Sequence, residues 1–136
     1  LAGNRMPKDM IRARLPGTKV TGRVADANRY IAQRHVMVVP LFSAGGMRVK
    51  IIEGMAMGKC VLSTTVGAEG IAYTTGRDIL LADTAAEFAD QINLLLEQPE
   101  TAARIGNNAR FLVAERHSTE KAIEDLVSFY KSLDKA

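Results

Sequence analysis

The stretch HVMVVPLFSAGGMRVKIIEGMAMGKCVLSTT, residues 35–65, decides the fold. It opens with HVMVVPLF (35–42), a continuous apolar run of strand length and rich in valine, as a parallel strand buried on both faces requires. It closes with CVLSTT (60–65), a run of the same kind. Between them, Met47 to Met57 carries Val49, Ile52 and Ala56, and also Ile51 and Met55, at helical spacing, with Gly58 as the stop. Strand, helix and strand in that order make a crossover unit.

The pattern repeats on either side. TKVTG (18–22) reads as a short strand ending in glycine, VADANRYIAQ (24–33) as a helix, and DILLAD (78–83) as a third buried strand. The last third is all helix. Thr84 with Glu87 forms a capping box, and Phe88, Ile92, Leu95 and Leu96 line one face until Pro99 ends it. Ala102, Ile105, Ala109, Leu112 and Val113 line a second helix, and Ser118 caps a third with Ile123, Leu126, Val127, Tyr130 and Leu133 on its apolar side. The fold class is therefore α/β, a doubly wound parallel sheet with helices on both faces.

At 136 residues, 47% hydrophobic and 24% charged, the chain has the size and composition of one domain with one core. A formal charge of +3, with no run of like charges, gives no nucleic-acid surface and fits an anionic small ligand. The one cysteine, Cys60, has no partner for an internal disulfide, and there is neither a secretory h-region nor a membrane-spanning run. A cytoplasmic setting is expected, with peripheral attachment to a membrane left open. The opening LAGNRMPKDM has no Met and begins like the end of a strand already in progress, so an excised fragment is expected. A sheet edge and a last helix without full partners would then favour self-association.

In parallel sheets of this type ligands sit at the carboxyl ends of the strands. The strand ending at Phe42 runs through Ser43, Ala44, Gly45 and Gly46 into a helix, so first-turn amides and the positive end of the helix dipole face that crevice, as an anion site needs. The glycines let the backbone approach a phosphate, and Arg48 adds a permanent charge with forked donors. Glu53, about one and a half turns in, falls at the edge of the apolar stripe, where its carboxylate can accept hydrogen bonds from a diol such as ribose. Each feature also has an ordinary reading: Gly-Gly as a strand-to-helix turn, and Arg48, Lys50 and Glu53 as solvated helix charges. GMAMGKC (54–60) is not a P-loop, because Gly54 and Gly58 are too close and Cys60 replaces Ser or Thr. His35 and His117 lack partners at ligand spacing, so no metal site is expected. Cys60 and the methionines read as core packing.

The run PLFSAGGMRVKIIEGMAMGKCVLSTTVGAEGI closely resembles the signature of the retaining group 1 glycosyltransferases, the sucrose-synthase and mannosyltransferase-like family with the two-domain GT-B fold. The preceding KVTGRVADANRYIAQRHVMVVP and the tail with ERHS resemble the segments that flank it there. The resemblance implies the Rossmann-like C-terminal, donor-binding half of such an enzyme, lacking its opening strand, helix and strand, with the acceptor domain absent. It implies transfer of a sugar from a nucleotide diphosphate sugar to an acceptor, in carbohydrate biosynthesis, with no other cofactor.

Residue by residue, Glu53 matches the second of the family's paired acids, which accepts hydrogen bonds from the donor's ribose. The first falls at Gly45, where no carboxylate stands. In this variant Gly45, Gly46 and Met47, with Arg48, take over beside the sugar and diphosphate. Gly22, Arg23 and Val24 match the loop beside the nucleotide base, and Gly67, Ala68 and Glu69 match a loop near the donor. No catalytic residue is assigned. Two other readings stand beside this one: a sugar-nucleotide epimerase of GT-B architecture, and a non-enzymatic receiver-like signalling module.

Overall fold

Cys60, Val61, Leu62 and Ser63 are fully buried and form the central strand of a parallel sheet in the computed structural model, which describes the chain apart from residues 4, 5, 13–15, 44, 47 and 134–136. β1 (Val36–Val39) pairs with β2 (Cys60–Ser63) in register from Val36 opposite Cys60 to Val39 opposite Ser63. β3 (Leu80–Leu81) pairs on the far side, giving the order β1-β2-β3 with every pair parallel.

The chain divides into two compact units, Leu1–Gln33 and Arg34–Ala136, which are described separately. The first holds α1 (Lys8–Arg12) and α2 (Ala27–Ala32), the latter started by Asp26, whose side chain accepts the Arg29 amide at 3.0 Å. TKVTG, expected to be a strand, makes only a single parallel bridge, Gly22 with Ala2. Gly22 itself has φ +70°, outside the strand region, and no ladder is formed there among the described residues.

The second unit carries the sheet and α3 (Val49–Ala56), α4 (Ala85–Glu97), α5 (Pro99–Arg116) and α6 (Thr119–Leu133). Side chains of β2 alternate between two cores, as strand geometry demands. Val61 joins Ile51, Met55, Ala68, Ile71, Ile79, Ala109 and Val113, whereas Cys60 and Leu62 join Leu80, Ala82, Phe88, Leu95, Ala102 and Ile105. Helices thus cover both faces, and α5 contributes to both cores. It passes the α3–β2 corner at Gly106, where an added Cβ would lie 2.2 Å from the Gly58 carbonyl oxygen.

Helix ends follow the local chemistry. Gly58 has φ +69° and closes α3 with Gly58 N–H donating to Met55 and Lys59 N–H to Gly54, a Schellman pair. Thr84 and Glu87 form the expected capping box, and Ser118 accepts the Lys121 amide at 3.1 Å. Pro99 both follows the end of α4 and supplies the first residue of α5.

Three packing expectations are corrected. β1 is not buried on both faces: Val38 is 45% exposed, where it lines an open cavity together with Ile92 and Leu96 of α4. On α3 the buried residues are Ile51, Gly54 and Met55, while Val49 is 60% exposed and Ala56 is exposed. Gly54 draws the helix onto β1, since a Cβ there would lie 2.6 Å from Met37 Sδ. On α4, Phe88 and Leu95 are buried but Leu96 is 75% exposed, the helix being covered along a narrower stripe than its apolar content implies.

Candidate functional site at the carboxyl ends of the strands

The three strands of the sheet end at Val39, Ser63 and Leu81, and the segments that leave them meet at one end of the unit. From β1 the chain passes through the glycine turn into α3. Gly46 has φ +76°, with open space where a Cβ would stand, and Gly45 is equally open. Arg48 is the N-cap residue of α3 rather than a first-turn residue, and among the described residues no side chain caps that end of the helix. Its guanidinium folds back over the turn: Nη1 donates to the Gly45 carbonyl at 2.5 Å and also to the Gly46 carbonyl. Nε and Nη2 are buried and have no hydrogen-bond partner among the described residues. The result is a guanidinium held over the glycine turn at the start of α3. Met47, named with this loop in the sequence reading, lies outside the described residues.

Glu53 lies about 150° round the helix from the centre of the buried face of α3 and is half-buried. Its carboxylate pairs with Lys50 Nζ at 2.5 Å, the two side chains being 39% and 62% exposed. An exposed pair of this kind contributes little to stability. It leaves a carboxylate oxygen and a cation together, one turn from the glycine loop.

The segment after β2 is a run of turns from Thr65 to Gly70. Gly67 is buried and has no room for a side chain: a Cβ would lie 2.4 Å from Ser63 Oγ and 3.0 Å from Thr64 Oγ1. Ala68 is fully buried in the core, and Glu69 is exposed. Of the three residues matched to a donor-side loop, only Glu69 therefore presents its side chain to solvent. Gly22, Arg23 and Val24 belong to the first unit, with Arg23 exposed and Val24 half-buried.

Sequence reasoning assigned no role to three polar residues at these strand ends. Ser63 Oγ donates to the Val39 carbonyl at 3.3 Å, and the Thr64 hydroxyl donates to the Leu41 carbonyl while accepting the Gly67 amide at 2.9 Å. Asp83, just past β3, accepts both the amide and the hydroxyl of Thr65, and these bonds hold its carboxyl below the usual range. The available signal was the polar triplet Ser63-Thr64-Thr65 closing an otherwise apolar strand. Cys60, at the other end of β2, is fully buried, and burial pushes its thiol up to about 11. No group of three His, Cys, Asp or Glu suited to a metal ion occurs among the described residues. No helix among them is long and apolar enough to cross a membrane.

A cavity of about 520 Å3 opens at the opposite, amino ends of β1 and β2, against Val36, Val38, Ile92, Leu95, Leu96 and Pro99. Its lining is mainly apolar but also includes Arg34, His35 and Lys59.

A family model described as glycosyl transferases group 1 matches residues 1–98. Among solved structures, Anabaena HepE in complex with UDP is similar with a TM-score of 0.74 and 22% identity, over 84% of this chain and 32% of that one. A glycosyltransferase from Rickettsia africae gives 0.71 and 20%, over 86% and 32%. The sucrose-phosphate synthase of Thermosynechococcus elongatus gives 0.70 and 24%, over 86% and 30%. No curated protein matches by sequence. The likenesses establish a shared fold, and the chain spans about a third of the length of these structures.

Proposed function

The chain belongs to the group 1 glycosyl transferases and has the parallel α/β fold of the Rossmann-like half of a GT-B enzyme, and from that premise we propose that it is the donor-binding part of a retaining transferase. The intact enzyme moves a hexosyl group from a nucleotide diphosphate sugar to an acceptor, and the acceptor site belongs to a further, N-terminal domain. The reading rests chiefly on Arg48, whose guanidinium is anchored on the Gly45 and Gly46 carbonyls at the start of α3, with Nε and Nη2 lacking a hydrogen-bond partner among the described residues.

Negative charge develops on the departing diphosphate in such a transfer. Donors already aimed at that position stabilise the transition state more than the ground state. In this reading the amides of Gly45, Gly46 and Met47 and the Arg48 guanidinium hold the diphosphate, and Glu53 accepts from the ribose hydroxyls. Lys50, paired with Glu53, adds positive charge beside that carboxylate. The family pattern assigns the base-side contact to Gly22, Arg23 and Val24, and a donor-side loop to Gly67, Ala68 and Glu69. Substrate binding needs no cofactor in this scheme, and the enzyme acts in the cytoplasm or at the inner face of a membrane.

Calorimetric titration of the intact protein with uridine, guanosine and adenosine diphosphates tests the reading, followed by a transfer assay with the sugar nucleotides of whichever base binds. Saturable binding of at least one diphosphate is expected. Absence of binding by all three overturns it.

A further inference from the structure

Thr64 is 1% exposed and sits one residue beyond β2, yet its hydroxyl reaches in two directions. It donates to the carbonyl of Leu41, where the chain has just left β1, and it accepts the amide of Gly67 at 2.9 Å, inside the turn that follows β2. A threonine hydroxyl carries one proton and two lone pairs, so this arrangement spends its only proton on Leu41. The neighbouring contacts point the same way: the Thr64 amide donates to the Val39 carbonyl at 3.4 Å and the Ser63 hydroxyl to the same oxygen at 3.3 Å. Backbone pairing thus ends at Val39, and beyond it the buried Thr64 hydroxyl takes over as the tie. Gly67 fits beneath it only because it has no Cβ.

We propose that Thr64 is a positioning residue that sets where the chain departs from β1, and thereby where the Gly45–Arg48 turn meets its anion. The proposal rests on the donor reading given above. Leu41 begins the segment that ends in the glycine turn, and its carbonyl is fixed by this hydroxyl to the centre of the sheet. A turn whose backbone amides must face a phosphate loses binding when its base is loosened, because ordering it again costs free energy at each binding event.

Two variants of the intact protein separate the hydroxyl from its methyl group. Thr64→Val keeps the shape and removes both hydrogen bonds, and Thr64→Ser keeps the hydroxyl and removes the methyl. Amide hydrogen exchange at Leu41, whose amide donates to the Val39 carbonyl at 3.0 Å, and at Gly67 is read alongside titration with uridine and guanosine diphosphates. In the Val variant, exchange at these amides should rise and affinity should fall, each by about tenfold. In the Ser variant both should stay within about twofold of the unsubstituted protein, within the tolerance of a retained hydrogen bond. A role in packing alone predicts the reverse order. The proposal is overturned if the Val variant exchanges like the unsubstituted protein, or if the Ser variant loses as much as the Val variant. Should Val prevent folding, the Ser variant still decides: near-normal exchange supports the hydroxyl tie, and loosened exchange overturns it. If the unsubstituted protein binds neither diphosphate, the donor reading is weakened, while the exchange comparison still judges Thr64.

Discussion

The carboxylate of Asp83 grips Thr65 with both oxygens, Oδ1 accepting the amide at 2.8 Å and Oδ2 the hydroxyl at 2.7 Å. The pair joins the chain just past β3 to the chain just past β2. Both bonds favour the ionised carboxylate, which lowers its pKa from 3.8. A depressed folded-state pKa contributes stability that is present above the unfolded value and is lost as pH falls through the folded one. Asp83→Ala should therefore melt below the unsubstituted protein at neutral pH, and the gap should narrow once pH drops below 3.8. Melting curves across that range check it; a gap that held constant into strong acid would mean the bonds act independently of charge.

Two buried glycines should respond differently to alanine. At Gly106 the new Cβ would meet backbone, the Gly58 carbonyl oxygen at 2.2 Å and the Cys60 nitrogen at 3.2 Å. At Gly54 it would meet the thioether of Met37 at 2.6 Å, the flexible part of a side chain that can move. Gly106→Ala should cost about 2–3 kcal/mol through overpacking, and Gly54→Ala less than about 1.5 kcal/mol, part of it offset by better helix propensity. Urea unfolding of both variants tests the ranking, and equal costs would contradict it.

Cys60 should be an inert thiol. Burial raises its pKa from 9.0 to about 11, so at pH 8 roughly a hundredfold less of it is thiolate than in an exposed cysteine. Labelling by a thiol reagent should require unfolding. An acid whose folded pKa is raised contributes stability below its unfolded value, here about 9, and loses that contribution as pH climbs towards 11. Labelling of the native protein as fast as of the urea-unfolded chain would place the thiol at the surface.

Glu53 and Gly46 test the donor reading from two sides. Glu53→Gln removes the charge from a carboxylate that is partly exposed and spaced from the core, so the fold should be unaffected while nucleoside diphosphate binding weakens by about 1–3 kcal/mol. Gly46 stands at φ +76° in open space. Gly46→Val should destabilise the turn by about 1–2 kcal/mol and abolish nucleotide binding, since a branched residue resists that conformation. Calorimetry with melting temperatures measured in parallel distinguishes the two losses. Unchanged affinity in Glu53→Gln removes the ribose assignment.

What the sequence made legible was local. Gly58, the Thr84–Glu87 box and the Ser118 cap each act within a few residues of chain, and the glycine turn announced itself between an apolar run and a helix. Contacts made across the fold were not legible: Thr64 finds its acceptor 23 residues back, and Asp83 its partner 18 residues back, so neither pairing leaves a spacing pattern. Exposure was the other gap. Hydrophobic periodicity marks the faces that can be buried on α3 and α4, but Val49 and Leu96 show that neighbouring elements decide how much of each face is covered. Arg48 was read as a first-turn cation, and the turn of its side chain onto the preceding carbonyls depends on a loop path that composition does not encode.

The last helix carries the broadest such uncovered face. Ile123, Leu126, Phe129, Tyr130 and Leu133 are each between 55% and 60% exposed, and Val127 is 44% exposed. In α6 they recur at three- and four-residue steps, and the Phe129 and Tyr130 rings pack edge to face with centroids 5.8 Å apart. A contiguous apolar face of this kind is unfavourable in water and drives association. Each side chain here is buried against little within the chain, so Leu126→Asp should change unfolding free energy by no more than about 0.5 kcal/mol, the range for surface sites. The same substitution should reduce self-association of the 136-residue chain, because it places a charge in the middle of the stripe. Light scattering at rising protein concentration reads the second effect. A mass that stays monomeric at all concentrations without the substitution, or one that grows equally with it, rejects α6 as the associating surface.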